Sequence, residues 1–147
     1  MIQRIQSVWL LLAALSCAGL FFFNLYTAQQ MVNGTQTLVP MRVNGGNEFL
    51  LMLLAIAINV IPLFAIFRYK NRKQQKSIVV LNMVAVISFI AVLLMHIANY
   101  NHQTPAPFNG AYGIASVLPV FALVFLGLAL RGINKDDKLV KSVDRLR

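Results

Sequence analysis

Four long runs without a single Asp, Glu, Lys or Arg divide this chain: Ser7 to Tyr26, Phe49 to Phe67, Ser77 to Ala98 and Ala111 to Leu130. Each is about the ~20 residues that a helix needs to cross a ~30 Å hydrocarbon core. Twelve of the thirteen Lys and Arg residues fall in the segments that would share one side of a membrane. These are the N-terminus with Arg4, the second connection with Arg68, Lys70, Arg72, Lys73 and Lys76, and the tail with Arg131, Lys135, Lys138, Lys141, Arg145 and Arg147. The positive-inside rule makes that side cytoplasmic. The first connection carries only Arg42 and Glu48 and the third carries no formal charge, so both belong outside. Hydropathy and charge predict the same all-α membrane protein: a four-transmembrane-helix up-down bundle with cytoplasmic N- and C-termini.

Composition agrees, since 59% apolar and 12% charged residues lie far from the soluble averages of ~45–50% and ~25%. A chain of 147 residues has room for one bundle at 1–134 and a basic amphipathic cytoplasmic tail at 135–147. The net charge of +9 sits beside helix ends and is mixed with Asp136, Asp137 and Asp144, which fits a lipid-facing collar and no nucleic acid. The single Cys17 excludes an intramolecular disulfide, a CxxC pair and a cysteine zinc site. Arg4 and the first apolar run resemble a signal peptide, but the run exceeds the usual ~7–15 residues of such a segment. Retention is therefore expected. The weak lipoprotein box Ala14-Leu15-Ser16-Cys17 is read the same way, because the apolar stretch continues through Phe23.

The short connection Arg68 to Lys76 forces an antiparallel hairpin between helices two and three. In the first outer connection, Asn33-Gly34 supplies the positive φ angles of a type I′ turn between short β-capable flanks, so a small outer β-hairpin is expected. It should rest on helix ends or a partner, because two strands alone are marginal in water. Asn33-Gly34-Thr35 also matches a glycosylation acceptor and is read as the turn. Pro105, Pro107 and Gly110 favour an extended third connection.

Within the helices the notable residues are polar but neutral. Asn59 lies near the middle of helix two, and Pro62 leaves the carbonyl of Ile58 without its usual donor, which predicts a kink facing the bundle. Asn82 is placed to reach across the two-three hairpin toward Pro62. Interhelical hydrogen bonding is favoured over a polar ligand site. Pro119 invites a second kink, and the pairs Ala14/Ala18 and Ala111/Ala115 permit close helix approach. His96 and His102 straddle the end of helix three without a Cys or acidic partner, so a backbone contact for His96 is preferred to zinc. No carboxylate lies within a run, which argues against a proton-coupled carrier. No nucleophile elbow, P-loop or HExxH occurs, so the reading is non-enzymatic and without a cofactor.

In the tail, Asn134 is expected to cap a new helix whose first turn holds Asp136 and Asp137. Leu139, Val140, Val143 and Leu146 form an apolar stripe among Lys138, Lys141, Arg145 and Arg147, suited to docking on lipid or on another protein.

The opening Met1-Ile2-Gln3-Arg4-Ile5-Gln6-Ser7-Val8-Trp9-Leu10 and the closing Lys135-Asp136-Asp137-Lys138-Leu139-Val140-Lys141-Ser142-Val143-Asp144-Arg145-Leu146-Arg147 resemble the two ends of a Bacteroidota family of small four-helix inner-membrane proteins, a domain of unknown function. The resemblance spans the chain and implies the inner membrane of a Gram-negative bacterium, with both termini cytoplasmic. It transfers no catalytic residue, removes the relevance of the sequon and supports retention of the first helix. Two functional expectations follow. One is a non-catalytic accessory subunit or assembly factor of a larger membrane protein complex; the other is a small oligomeric transporter or channel for an unidentified solute.

Overall fold

The computed structural model describes residues 2–32, 35–43, 49–69, 71–103 and 110–144, with only the backbone described for 2–4, 29–32, 35–36, 39, 100–103 and 141–144. Helix α1 (Ile2–Ala18) runs into a 3-10 turn at Gly19–Phe21 and is followed by strands β1 (Tyr26–Val32) and β2 (Thr35–Met41). Helices α2 (Phe49–Phe67) and α3 (Arg72–Gln103), strand β3 (Ala111–Tyr112), a 3-10 turn at Ile114–Ser116 and helix α4 (Leu118–Asp144) complete it. Segments within Phe49–Phe67, Arg72–Asn99 and Ile114–Val140 are long and apolar enough to cross a membrane, while Ile5–Phe21 is a shorter apolar helix.

The helices form a ring in which α1 packs on α2 and α4, and α3 packs on α2 and α4. Chain order makes every neighbouring pair antiparallel. The reason for this packing is a repeat that contrast between polar and apolar residues does not reveal. The buried positions are Gln6, Leu10, Ala13 and Cys17 on α1 with Leu20 in the turn that follows it, and Leu51, Ala55, Ile58, Pro62 and Ala65 on α2. On α3 they are Gln75, Val79, Asn82, Val86, Phe89 and Leu93, with Ile97 buried a further four residues on and off the repeat, and on α4 Pro119, Ala122, Leu126, Ala129, Ile133 and Asp136. The steps alternate between four and three, the seam of a left-handed coiled-coil-like bundle. Ala14 is also buried beside this row. The opposite faces carry exposed Leu11, Leu15, Ile56, Val60, Val84, Ile87, Phe121 and Val124, so both faces are apolar.

The tightest pair is α1 with α4. Trp9 stacks on Phe125 with centroids 6.0 Å apart. A Cβ added at Gly132 would stand 2.8 Å from Gln6 Cγ, so glycine is what lets the helices approach there. The α2–α3 hairpin is tighter than expected, with only 68–71 between the helices. Asn71 accepts from the Gln74 backbone N–H at 3.2 Å, capping α3.

At the opposite end of the bundle sits a three-stranded antiparallel sheet of order β2-β1-β3. Val32 pairs with Thr35, which fixes a two-residue connection, although Asn33 and Gly34 themselves lie outside the described residues. The hairpin is larger than expected, with seven residues in each strand. Its support is Ala111–Tyr112, which pairs with Tyr26 and Thr27. The expected first run to Tyr26 and fourth run from Ala111 are corrected accordingly: both of those residues are strand. Pairing overrides apolarity, since Leu25 N–H donates to the Met41 carbonyl and Gly113 N–H to the Leu25 carbonyl, each at 2.9 Å. Tyr26 and Ala28 are buried, and Tyr26 meets Tyr112 edge to face at 5.4 Å. Pro40 lies on β2, an edge strand, where no ladder bond is lost outward.

Candidate functional site

The end of the bundle away from the sheet collects the polar chemistry. Following the seam down α1 and α4 brings Gln6 and Asp136 together, and Gln6 Nε2 donates to Asp136 Oδ2 at 2.8 Å in a buried contact. Arg72, the first residue of α3, donates from Nη1 to the backbone carbonyl of Asp136 at 3.2 Å. Three helices are therefore tied at one level. Gln75, one turn into α3, is also buried. A carboxylate sunk in this way is costly unless it is hydrogen-bonded, and Gln6 together with nearby Arg72 answers that requirement.

Around this knot lie exposed Arg68, Lys73, Lys76, Arg131, Lys135 and Lys138. Arg68 is held over the Phe64 ring of α2 at 5.3 Å and donates to Gln74 Oε1 of α3 at 3.4 Å, so it bridges the ends of the two helices. Among the described residues no group of three or more His, Cys, Asp or Glu is placed to hold a metal ion.

The tail departs from expectation. α4 continues without a break through Asn134 to Asp144, so Asn134 is an interior helical residue and not a cap. Asp136 is correspondingly not a first-turn carboxylate; it occupies the next seam position after Ile133. Lys138 and Leu139 are exposed on this continuation. Lys141 and Val143 lie on its backbone with side chains not described, and Arg145, Leu146 and Arg147 lie outside the described residues.

Pro119 also changes meaning. It is the second residue of α4, where a missing N–H breaks no helical bond, so no mid-helix kink arises from it. Pro62 is buried inside α2. Asn59, half-buried, donates from Nδ2 to the Ala55 carbonyl at 2.9 Å, a bond within its own helix in place of the expected interhelical one. Asn82 is 1% exposed, and its Oδ1 has no hydrogen-bond partner. His96 is half-buried and engaged, whereas the His102 side chain is not described.

Composition and motif gave Gln6 no role, and they gave Arg72 and Asp136 only those of a cytoplasmic cation and a first-turn carboxylate. The available signal was the alternating four-three spacing that carries Leu10 back to Gln6 and Ile133 on to Asp136.

The fold and this polar end define a small helical bundle with three helices long and apolar enough to cross a membrane and a sheet at one end. The chain belongs to the DUF4293 family, a domain of unknown function, whose family model matches residues 2–146. No curated protein and no solved structure matches it.

Proposed function

We propose that this chain is an integral inner-membrane protein with both termini cytoplasmic, acting as a non-catalytic accessory subunit or assembly factor of a larger membrane complex. The observation that carries the reading is the division of the surface. The seam is filled by the chain's own side chains, whereas the outward faces of all four helices are apolar. The described cations of the connections and tail gather at the end opposite the sheet, with Arg42 alone beside it. That polarity supports an outer sheet and a cytoplasmic basic end. Sheet edge and basic end are then the two surfaces available to partners on opposite sides.

Reporter fusions after Met41 and after Arg147 are expected to report opposite sides; the same side for both would overturn the topology. Purification of the native protein in mild detergent is expected to bring a defined membrane complex with it. A monodisperse preparation with no companion would count against the subunit reading. The second reading, a small oligomeric transporter or channel, draws on Asp136, a carboxylate buried beside membrane-crossing helices. Solute flux in proteoliposomes that is lost on Asp136→Asn would favour it.

A further inference from the structure

We infer that the inner face of the last turns of α4, at Leu139 and Val140, docks an acidic amphipathic helix of a partner protein at the basic end of the bundle. The inference rests on the subunit reading above and adds to it a surface and the chemistry of the partner.

Helical phase locates the face. The inner row of α4 runs through Ala122, Leu126, Ala129, Ile133 and Asp136, each at most 8% exposed, and the next step of four reaches Val140, which is 42% exposed. A neighbouring row repeats every seven residues. Phe125 stacks on Trp9 of α1, Gly132 approaches Gln6 of α1, and Leu139 follows at 47% exposed. Exposure rises where the neighbouring helices stop. Arg72, which reaches the Asp136 carbonyl, is the first residue of α3, and α1 starts at Ile2, one turn before Gln6. α4 itself continues about two turns past Asp136, to Asp144.

The occupant follows from what surrounds this face. Val124, Arg131 and Lys138 are seven residues apart on the opposite side of α4, and all three are exposed. While α4 stays unbroken, lipid meets that outward row, and Leu139 and Val140 stay on the side of the bundle axis. Charge argues against a second copy. The segments read as cytoplasmic hold twelve Lys and Arg against Asp136, Asp137 and Asp144, so two such ends repel. Asp136 is moreover taken by Gln6, and Asp137 is engaged. Lys135 is exposed one turn from Leu139 on the same flank. An apolar face with lysine at its border matches a helix whose leucine stripe is bordered by glutamate or aspartate.

The test uses the full chain in phosphatidylcholine nanodiscs and two synthetic helical peptides with the same leucine stripe, bordered by glutamate in one and by lysine in the other. Only the glutamate peptide is expected to bind. Leu139→Ala with Val140→Ala, which keeps the helix, is expected to weaken that binding at least about tenfold. Phe67→Ala removes an exposed apolar side chain from α2 at the same end and is expected to leave binding unchanged. Equal binding of the two peptides, or equal weakening by the two variants, would overturn the inference. Val140→Cys then reports what covers the face in the cell, since Cys17 is buried and does not compete. A water-soluble maleimide is expected to label it in proteoliposomes, with or without phosphatidylglycerol, and to be blocked in native membranes. Protection by phosphatidylglycerol alone would overturn the proposal in favour of lipid, a disulfide-linked dimer in favour of a second copy, and equal labelling in native membranes in favour of an empty face. Alkaline carbonate extraction tests the membrane reading separately. A chain that washes off overturns both, while a complex that still copurifies with the Leu139→Ala, Val140→Ala chain keeps the subunit reading and overturns this inference alone.

Discussion

Replacing Asn82 with Leu should stabilise the bundle. Asn82 is 1% exposed on the α3 seam, and its Oδ1 meets no donor. A buried acceptor without a partner costs about 1–3 kcal/mol relative to its hydration in the unfolded chain. Leucine has the same branching at Cγ and removes that cost, while its greater volume must be accommodated, which in tight cores costs about 1–3 kcal/mol. The surroundings decide the balance. One heptad from the Gln6–Asp136 contact, the seam positions are Ala13 on α1 and Ala129 on α4, and one heptad from Gln75 is Asn82 itself. Asn82 therefore shares its layer with two alanines, which leaves the larger side chain the easiest place in the seam. The expected net change is a gain of about 1 kcal/mol. Reversible unfolding in mixed micelles, followed by helical circular dichroism, measures it. Asn59→Leu is the comparison: its amide is spent on Ala55 in its own helix, so a change within about 0.5 kcal/mol is expected. A loss of more than about 1 kcal/mol for Asn82→Leu, with Asn59→Leu neutral, would refute the reasoning, because it would mean that the Asn82 amide is satisfied in the folded protein.

Gln6→Ala removes the side-chain donor to the buried Asp136 carboxylate and is expected to destabilise by about 1.5–3 kcal/mol in the same unfolding assay. Gly113→Ala would place a Cβ 2.0 Å from the Asn24 carbonyl oxygen, so the backbone must move. Hydrogen exchange should then rise at Tyr26 and Thr27, which pair with β3, and remain unchanged in the middle of α2. Asn134→Ala is expected to be neutral or stabilising by about 0.5 kcal/mol, as for an interior helical position. A loss of about 1 kcal/mol would instead be the signature of a helix cap at that residue.

The helical regions were legible because uncharged length is a property of single residues and needs no partner. α2 is found where the uncharged run Phe49 to Phe67 predicts it. The ends of the first and fourth runs were not legible, since Tyr26 and Ala111 became strand by pairing, Tyr26 with both Met41 and Tyr112 and Ala111 with Thr27. The seam was hidden for a related reason. With apolar residues on both faces, no hydrophobic contrast separates Leu10 from Leu11, although one is buried and the other exposed. Polar residues would have been the better markers: Gln6, Gln75, Asn82 and Asp136 all stand on the four-three row. The tail misled because Asn134-Lys135-Asp136-Asp137 has the composition of a helix start. The same residues continue a helix when Ile133 and Asp136 follow the inner row of the preceding turns.

The unbroken run of α4 has a mechanical meaning. Its 27 residues make a rod about 40 Å long, at ~1.5 Å per residue. One end is joined through a single 3-10 turn to the strand that completes the sheet, and the Gln6–Asp136–Arg72 knot grips it two turns before the other. A hydrogen-bonded helix does not shorten under small loads, so whatever displaces Leu118 along the axis displaces Asp136 by nearly the same amount.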